Sequence, residues 1–260
     1  MHKHCKPPLS RSLIGLMAFG WSAWVVAANT ISGANISGVW NHYPPDPPDL
    51  PEDPPPPGGE PALKEPYAAQ YKQLRQRQKE ANDQGRPLVS AAAQCLPEGM
   101  PTMMAPHYAL DILQTPGRVT IIAEFMSEVR RIYLNASMPP VEDIEPTYAG
   151  YSVGKWHGKT FVVETRGIHP DVQYLDFPHT DKMKIIEKFR LVGPDLMEDE
   201  ITITDPDVLA KPYVVTYQYK REDPSYRVME YVCDHNRVSV NQDGSFGITV
   251  DSQESAKPTK

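Results

Sequence analysis

Glu187 stands out because it occupies an apolar face of a predicted strand. In the segment 183–191, Glu187 alternates with Ile185 and Phe189, while lysine and arginine side chains share the opposite face. Successive side chains of a strand point to opposite sides, so Glu187 is predicted to face inward. A buried carboxylate must find a cationic partner or be neutralised. Two hypotheses remain open: a structural salt bridge, or a general acid or base.

The segment 128–134 supplies an inward arginine on either assignment of its faces. Arg131 shares one face with Tyr133, and Arg130 lies on the other. Glu124, in the preceding predicted strand, offers a further carboxylate. An arginine beside carboxylates can form a salt-bridge network, or it can hold an anionic or carbonyl group of a substrate. We expect Arg131 to polarise a substrate oxygen with help from Tyr133.

Two further regions carry ionisable groups. The predicted strand 226–233 places Glu230 on one of two equally plausible inner faces. The loop 167–182 contains His169 and His179, each followed by an aspartate two residues later. Histidine beside aspartate suits proton transfer near neutral pH, although such residues are also common in turns. No third ligand of sensible spacing accompanies either pair, so no metal site is expected.

The elements that position these groups are almost all strands. About nine short runs rich in Val, Ile, Thr, Tyr and Phe lie between positions 107 and 233, separated by tight-turn sequences. An open sheet of this size would leave two exposed edges, so the pattern predicts an all-β fold, a closed antiparallel up-and-down barrel. A helix is predicted over 66–84, and a first strand over 35–41. A barrel of this size predicts an interior that holds a small molecule.

Composition bounds the partners. The chain has 260 residues, 40% of them hydrophobic, and a formal net charge of −7, which argues against nucleic acid or an anionic membrane surface. A basic start, an apolar run and a small-residue exit predict a signal peptide cleaved after Ala28. The mature protein is therefore expected in the periplasm or secreted. There Cys95 and Cys233 are expected to form a disulfide, with free buried thiols as the alternative.

The predicted organisation has five parts. They are the signal peptide (1–28), a first strand and proline-rich arm (29–62), a helical segment (63–90), the barrel (91–251) and a disordered tail (252–260). The arm is expected to be an extended spacer because its prolines forbid a helix or a central strand.

Several motifs, in a fixed order, are similar to those of a widespread family of exported and mostly uncharacterised bacterial proteins. They are CLPEGMP (95–101), EVRRIYL (128–134), GYSVGKWHGKTFVVET (150–165), PHTDKMKIIEKFR (178–190) and MEYVCDHN (229–236). Tyr151 departs from this pattern, since the family has a histidine there. The tripeptide Gly38-Val39-Trp40 resembles the first strand of lipocalins, which implies a lipocalin-like barrel whose tryptophan closes one end.

These arguments define a predicted site. Its catalytic members are Glu187, Glu124, Arg131, Tyr133 and His179, and its substrate-binding members are Arg130, Tyr151, His169, Glu230 and Tyr213. The predicted function is binding of a small, largely apolar, oxygenated molecule, with cofactor-independent lyase, isomerase, cyclase or hydrolase chemistry by carboxylate acid and base groups. The alternative is a non-catalytic carrier with the same cavity. No cofactor, nucleic acid or membrane partner is expected.

Overall fold

Nine strands close into a single barrel in the structure, a computed structural model that describes residues 33–45, 55–105, 108–233 and 238–248. The barrel strands are β1 (Gly38–His42), β2 (Leu110–Thr115), β3 (Arg118–Ala123), β4 (Val129–Leu134), β5 (Tyr151–His157), β6 (Thr160–Arg166), β7 (Lys184–Leu191), β8 (Leu196–Thr204) and β9 (Tyr213–Arg221). β1 pairs with both β2 and β9, which closes the ring and confirms the predicted barrel. The predicted signal peptide, the middle of the proline-rich arm and the tail lie outside the described residues.

One strand pair differs from the predicted up-and-down pattern. β4 and β5 pair in parallel, with Ile132 opposite Ser152, whereas the other eight pairs of the ring are antiparallel. The strand number requires such a pair, because strict alternation of direction around a closed ring is possible only with an even number of strands. The segment 135–150 therefore returns along the barrel before β5 begins.

The two ends of the barrel differ in their connections. Tight turns join β2 to β3, β5 to β6 and β7 to β8 at one end, which we call the turn end. The opposite end receives the connections 43–109, 124–128, 167–183 and 205–212, and we call it the loop end. Loops carry binding residues more often than the strands that support them, so the loop end is the natural place for a site.

The turn end is closed by aromatic packing. Trp40 is fully buried, its indole nitrogen donates to the Ile36 carbonyl at 3.0 Å, and the guanidinium of Arg221 lies 4.1 Å from its ring centre. Trp156 stacks on Phe161 with ring centres 4.9 Å apart. The expected tryptophan in β1 therefore packs in the barrel core.

Inward-facing positions follow the predicted period of two. In β7, Ile185, Glu187 and Phe189 are buried, and in β8 the residues Met197 and Ile201 are buried in the same way. The predicted helix is also present as α1 (Tyr67–Asp83), which lies over the loop end through half-buried residues and buries none completely. Within the described chain, no helix combines the length and apolar character needed to cross a bilayer.

The C-terminal segment contains the largest error of the sequence prediction. Residues 226–233 form no strand, because β9 already pairs with β1 and the closed ring offers no free edge. A separate hairpin of β10 (Val238–Val240) and β11 (Phe246–Ile248) follows, which the sequence did not predict. The predicted disulfide between Cys95 and Cys233 is confirmed, with the two Cα atoms 5.6 Å apart.

Candidate functional site

A cavity of about 210 Å³ opens at the loop end, beside the connection between β3 and β4. We call it the mouth pocket, and its lining comprises Glu98, Met103, Ala105, Tyr108, Leu110, Ala123, Phe125 and Glu128. Leu110 and Ala123 also belong to the barrel core, so the floor of the pocket is the layer of that core nearest the loop end. Most of the lining is apolar, and its polar side-chain groups are the two glutamate carboxyl groups and the hydroxyl of Tyr108. Ligand pockets commonly combine these features.

Glu128 is the polar group that the structure fixes most firmly in this pocket. The backbone N–H of Glu98 donates to its carboxylate at 2.6 Å, and that of Gly99 donates at 3.0 Å. Burial raises the pKa of Glu128 above its ordinary value, and the two N–H groups oppose this shift. The carboxyl group can therefore serve as a hydrogen-bond donor or acceptor, and as an acid or a base.

An aromatic wall stands beside the mouth pocket. Tyr108 stacks on Phe125 with ring centres 4.8 Å apart, and Phe125 meets the edge of Tyr231 at the same distance. Tyr231 belongs to the C-terminal segment that the disulfide fastens through Cys233. The stacked aromatic rings and the disulfide bond hold this side of the pocket in a fixed shape, and such pre-organisation favours binding.

A buried ion pair lies inside the barrel. Arg130 donates to Glu187 through both terminal guanidinium nitrogens, and one of these contacts measures 2.7 Å. The same guanidinium donates to Thr165 at 2.9 Å and to Ser152 at 3.2 Å, and those two hydroxyls lie 2.8 Å apart. Arg130 and Glu187 have 0% exposure, so both side chains are shielded from bulk solvent. Glu187 has thus found the cationic partner that its inward position requires.

Asp199 is a second inward carboxyl group, close to the ion pair. Its residue is fully buried, and neither oxygen has a hydrogen-bond partner of standard geometry among the described residues. Burial and then the charge of Glu187 raise the pKa of Asp199 well above its usual range, against the opposing effect of Arg130. The backbone N–H of Lys188 also lowers the pKa of Asp199, and its effect is the smallest of these contributions. Asp199 is therefore neutral over a wider pH range than an exposed aspartate.

Arg131 and Tyr133 lie on the outer face of the barrel, which corrects the expected arrangement in β4. Arg131 is exposed, and Tyr133 stacks on Tyr151, another outward residue, with ring centres 5.3 Å apart. The inward arginine is Arg130, which shares its face with the fully buried Ile132. Arg131, Tyr133 and Tyr151 therefore cannot reach a molecule held inside the barrel.

Glu124 and Glu230 also lie outside the barrel. Glu124 follows the last residue of β3, and its carboxylate accepts a hydrogen bond from the Met229 N–H at 3.1 Å. Glu230 is exposed in the C-terminal segment, where no strand forms. Glu124 points away from the barrel interior because it follows the outward alternation of β3. The segment 226–233, for which two inner faces were open, lies outside the ring, so neither of its faces lines the interior.

The two loop histidines occupy different surroundings at the loop end. His169 stacks on Tyr148 with ring centres 4.7 Å apart and lies 3.7 Å from Asp171. His179 is half-buried, and its Nε2 has no hydrogen-bond partner in the described part of the chain. Neither residue lines the mouth pocket. Among the described residues, no three His, Cys, Asp or Glu side chains are arranged to hold a metal ion.

Tyr213 serves the closure of the loop end. Its hydroxyl accepts a hydrogen bond from the Gly58 N–H at 2.9 Å, which ties the arm to the start of β9. Its ring packs against Tyr174 and Phe177, two buried side chains from the loop 167–183. Tyr213 thus supports the cover of the barrel and does not face the mouth pocket.

A larger groove of about 620 Å³ lies between α1 and the loops that follow it. Its lining is polar and of mixed charge, and its charged groups pair locally: Lys79 with Asp83 at 2.9 Å, and Arg75 with Asp176 at 3.3 Å. Such a surface is typical of a solvated face, whereas the smaller mouth pocket combines apolar walls with a desolvated carboxyl group.

Sequence reasoning missed Asp199 and Glu128. Asp199 gave the same signal as Glu187, because it alternates with Met197 and Ile201 in β8. Glu128 gave no such signal: it precedes β4, and its burial comes from the loop 97–105 that folds over it. Only the first residue could have been found from alternation alone.

Comparison with known proteins assigns the chain to no family. No family model matches, and no curated protein matches. Among solved structures, a point mutant of the fluorescent protein UnaG aligns at 17% identity over 44% of this chain and 71% of that one, with a TM-score of 0.27. A score this low carries no argument about fold or function. The resemblance to a family of exported bacterial proteins therefore stays a prediction.

Proposed function

We propose that the protein binds a small, largely apolar molecule with an oxygen function in the mouth pocket. The observation that supports this most is the pocket itself, whose lining combines the Glu128 carboxyl group with five apolar side chains: Met103, Ala105, Leu110, Ala123 and Phe125. The volume of about 210 Å³ is roughly seven times the ~30 Å³ that one water molecule occupies. It suits a single-ring or short-chain compound.

The chemistry of the rim favours a neutral ligand. Glu128 borders the pocket, so an anionic ligand would meet like charge whenever this carboxyl group is ionised. The raised pKa of Glu128 means that its carboxyl group is protonated over a wider pH range than an exposed glutamate. A protonated carboxyl group can donate to a ketone, aldehyde or ester oxygen, and such a ligand is the one that the pocket fits best.

The test uses cyclohexanone as the probe and the methyl groups of the pocket as reporters. Titration into protein labelled at its methionine and alanine methyl groups is expected to give saturable NMR shifts at Met103 and Ala123. Ala105→Phe, which fills the pocket from a half-buried position, should abolish them. Ala136→Phe, an exposed change of the same kind far from the pocket, should not. Shifts that survive Ala105→Phe would exclude this site.

We propose acid and base catalysis in the same pocket as a second candidate. Its support is a carboxyl group of raised pKa in an apolar setting, because an ideal catalytic pKa lies near the working pH. The carboxylate of Glu128 would take a proton from the carbon beside a ligand carbonyl. The C–H electrons would then move to the carbonyl oxygen as an enolate, and the proton would return to carbon. Lyases and isomerases share this step.

The catalytic candidate is tested by exchange in D₂O. Wild-type protein is expected to speed the loss of the α-proton NMR signal of cyclohexanone. Glu128→Gln should slow this exchange about 100-fold or more, in line with the usual contribution of a general base. Glu142→Gln, on an exposed loop, is the matched control. If exchange with wild-type protein is no faster than in buffer, the catalytic proposal is wrong and the proposal of a non-catalytic carrier is kept.

We also propose that the protein is exported to an oxidising compartment. The support is the Cys95–Cys233 disulfide, because such bonds are rare where thiol reductants prevail. Expression in a bacterium followed by intact-mass measurement of the periplasmic fraction tests this. The expected product lacks residues 1–28, and full-length protein retained in the cytosol would contradict the proposal.

A further inference from the structure

The carboxyl group of Asp199 has unsatisfied hydrogen-bonding capacity, and the mouth pocket does not account for it. Its carboxyl group is fully buried in the barrel, and both oxygens lack a hydrogen-bond partner of standard geometry within the described chain. A buried polar group without a hydrogen-bond partner lowers the stability of the folded state. Such groups are rare in native proteins, and each one needs a physical reason.

Two tyrosines are close enough to this carboxyl group for its charge to raise the pKa of each, and they are Tyr174 and Tyr217. Tyr217 of β9 stands directly opposite Asp199 of β8 in the strand register, and both side chains face inward. The hydroxyl of Tyr217 meets the hydroxyl of Tyr174 at 3.0 Å. Burial raises the pKa of Tyr217 to about 12, so its hydroxyl keeps its proton at neutral pH. Asp199 and Tyr217 together offer donors and acceptors to one small polar group.

Tyr174 differs from its neighbours because a loop carries it, and not a strand. It enters from the loop end in the segment 167–183 and is buried against Phe177 and Tyr213. The next two residues, Leu175 and Asp176, both have left-handed backbone angles, with φ of 51° and 63°. Such angles are unfavourable for non-glycine residues.

The loop that carries Tyr174 is fastened to α1 by a surface contact. Asp176 lies 3.3 Å from Arg75, and both side chains are about one-third exposed. An exposed ion pair contributes little to stability, so this contact adds little to the hold on the loop. The phenol ring of Tyr174 is thus held inside the barrel by a loop with two left-handed residues, by this surface contact and by the packing of the buried Val172 and Phe177.

We propose that Asp199 and Tyr217 form an inner binding site for a small phenol, and that the Tyr174 side chain fills this site until a ligand displaces it. A free phenol can place its hydroxyl between the two groups, donating to one and accepting from the other. The hydroxyl of Tyr174 bonds to Tyr217, and both oxygens of Asp199 are left without a hydrogen-bond partner of standard geometry among the described residues. This inference goes beyond the mouth pocket and does not depend on it.

The test removes the built-in phenol and supplies it from solution. Tyr174→Ala vacates the ring, and p-cresol is the chemical equivalent of the lost side chain. Calorimetry should show that this variant binds p-cresol at least tenfold more tightly than toluene, which lacks the hydroxyl. A site built for a hydroxyl discriminates against the analogue that lacks it. Binding to wild-type protein should be saturable and weaker, because the ligand must displace Tyr174.

The variants at position 199 separate a binding role from a structural one. In the Tyr174→Ala background, Asp199→Leu should reduce the preference for p-cresol about tenfold, while Asp199→Asn, which can still donate and accept, should keep it. An unchanged preference with leucine, or the absence of binding to the wild-type chain up to the solubility limit, would overturn the inference. If Asp199→Leu fails to fold, the asparagine variant decides, since loss of the preference there would also overturn it. Binding of p-cresol that persists in Ala105→Phe separates this site from the mouth pocket.

Discussion

Replacing Arg130 by methionine is expected to lower the free energy of unfolding by about 3–5 kcal/mol, the range for breaking a fully buried ion pair. Arg130 makes hydrogen bonds to Glu187, Thr165 and Ser152 with no exposure to water. The two hydroxyls still have each other at 2.8 Å when the guanidinium is lost. Most of the loss therefore comes from Glu187, left buried and without a cation.

Removing the charge of Glu187, the other partner of the pair, should lower the free energy of unfolding by less. In Glu187→Gln, Arg130 keeps a nearby acidic group in Asp199, whose pKa is raised in part by the charge of Glu187. Without that charge, Asp199 ionises more readily and compensates the guanidinium. We therefore expect Glu187→Gln to cost less than Arg130→Met. Removing both partners together, as Arg130→Met with Glu187→Leu, should cost less than Arg130→Met alone.

Urea unfolding followed by circular dichroism measures these free energies, and thermal unfolding provides a second reading. For a domain of about 150–250 residues, 1 kcal/mol corresponds to roughly 2–4 °C, so Arg130→Met should melt about 6–20 °C lower. Arg131→Met is the matched control, since the neighbouring arginine is exposed and should change stability by at most about 0.5 kcal/mol. Equal effects at the two arginines would refute the reasoning. Equal losses for Arg130→Met and Glu187→Gln would refute the compensation by Asp199.

Three further predictions concern pH, the disulfide and core volume. The raised pKa of Asp199 means that the folded state holds the carboxyl proton more tightly than the unfolded state does. The free energy of unfolding therefore falls as the pH rises from about 4 through the folded-state pKa. Urea unfolding between pH 4 and 8 should show this slope, and Asp199→Asn should flatten it. Changing Cys95 and Cys233 to alanine removes a cross-link between residues 138 positions apart. The free energy of unfolding should fall by at most about 5 kcal/mol. A reductant should then destabilise the wild-type protein and leave the double variant unchanged. Gly154→Ala places a methyl group 2.5 Å from the Phe161 ring and should cost about 1–3 kcal/mol in thermal unfolding, because the core is overpacked; a neutral outcome would contradict tight packing there.

Local patterning was enough to predict the nine barrel strands and the inward position of Glu187. Alternation could not choose between Arg130 and Arg131, because both faces of β4 carry apolar residues. The choice is settled by Glu187 on β7, a partner 57 positions away. A non-local contact of this kind leaves no trace in the local sequence.

The remaining differences also come from tertiary closure. The segment 226–233 alternates like a strand, but β1 occupies the edge that it would need. The parallel pairing of β4 with β5 depends on the path of the segment 135–150, whose length permits either direction. The burial of Glu128 arises from a distant loop and likewise has no local signal.

The most direct test of the proposed function is a crystal structure of the wild-type protein soaked with cyclohexanone. The prediction is ligand density between Met103, Ala123 and Phe125, with the carbonyl oxygen within hydrogen-bonding distance of the Glu128 carboxyl group. An empty mouth pocket at a concentration that saturates the NMR titration, or density only at another surface of the barrel, would contradict it.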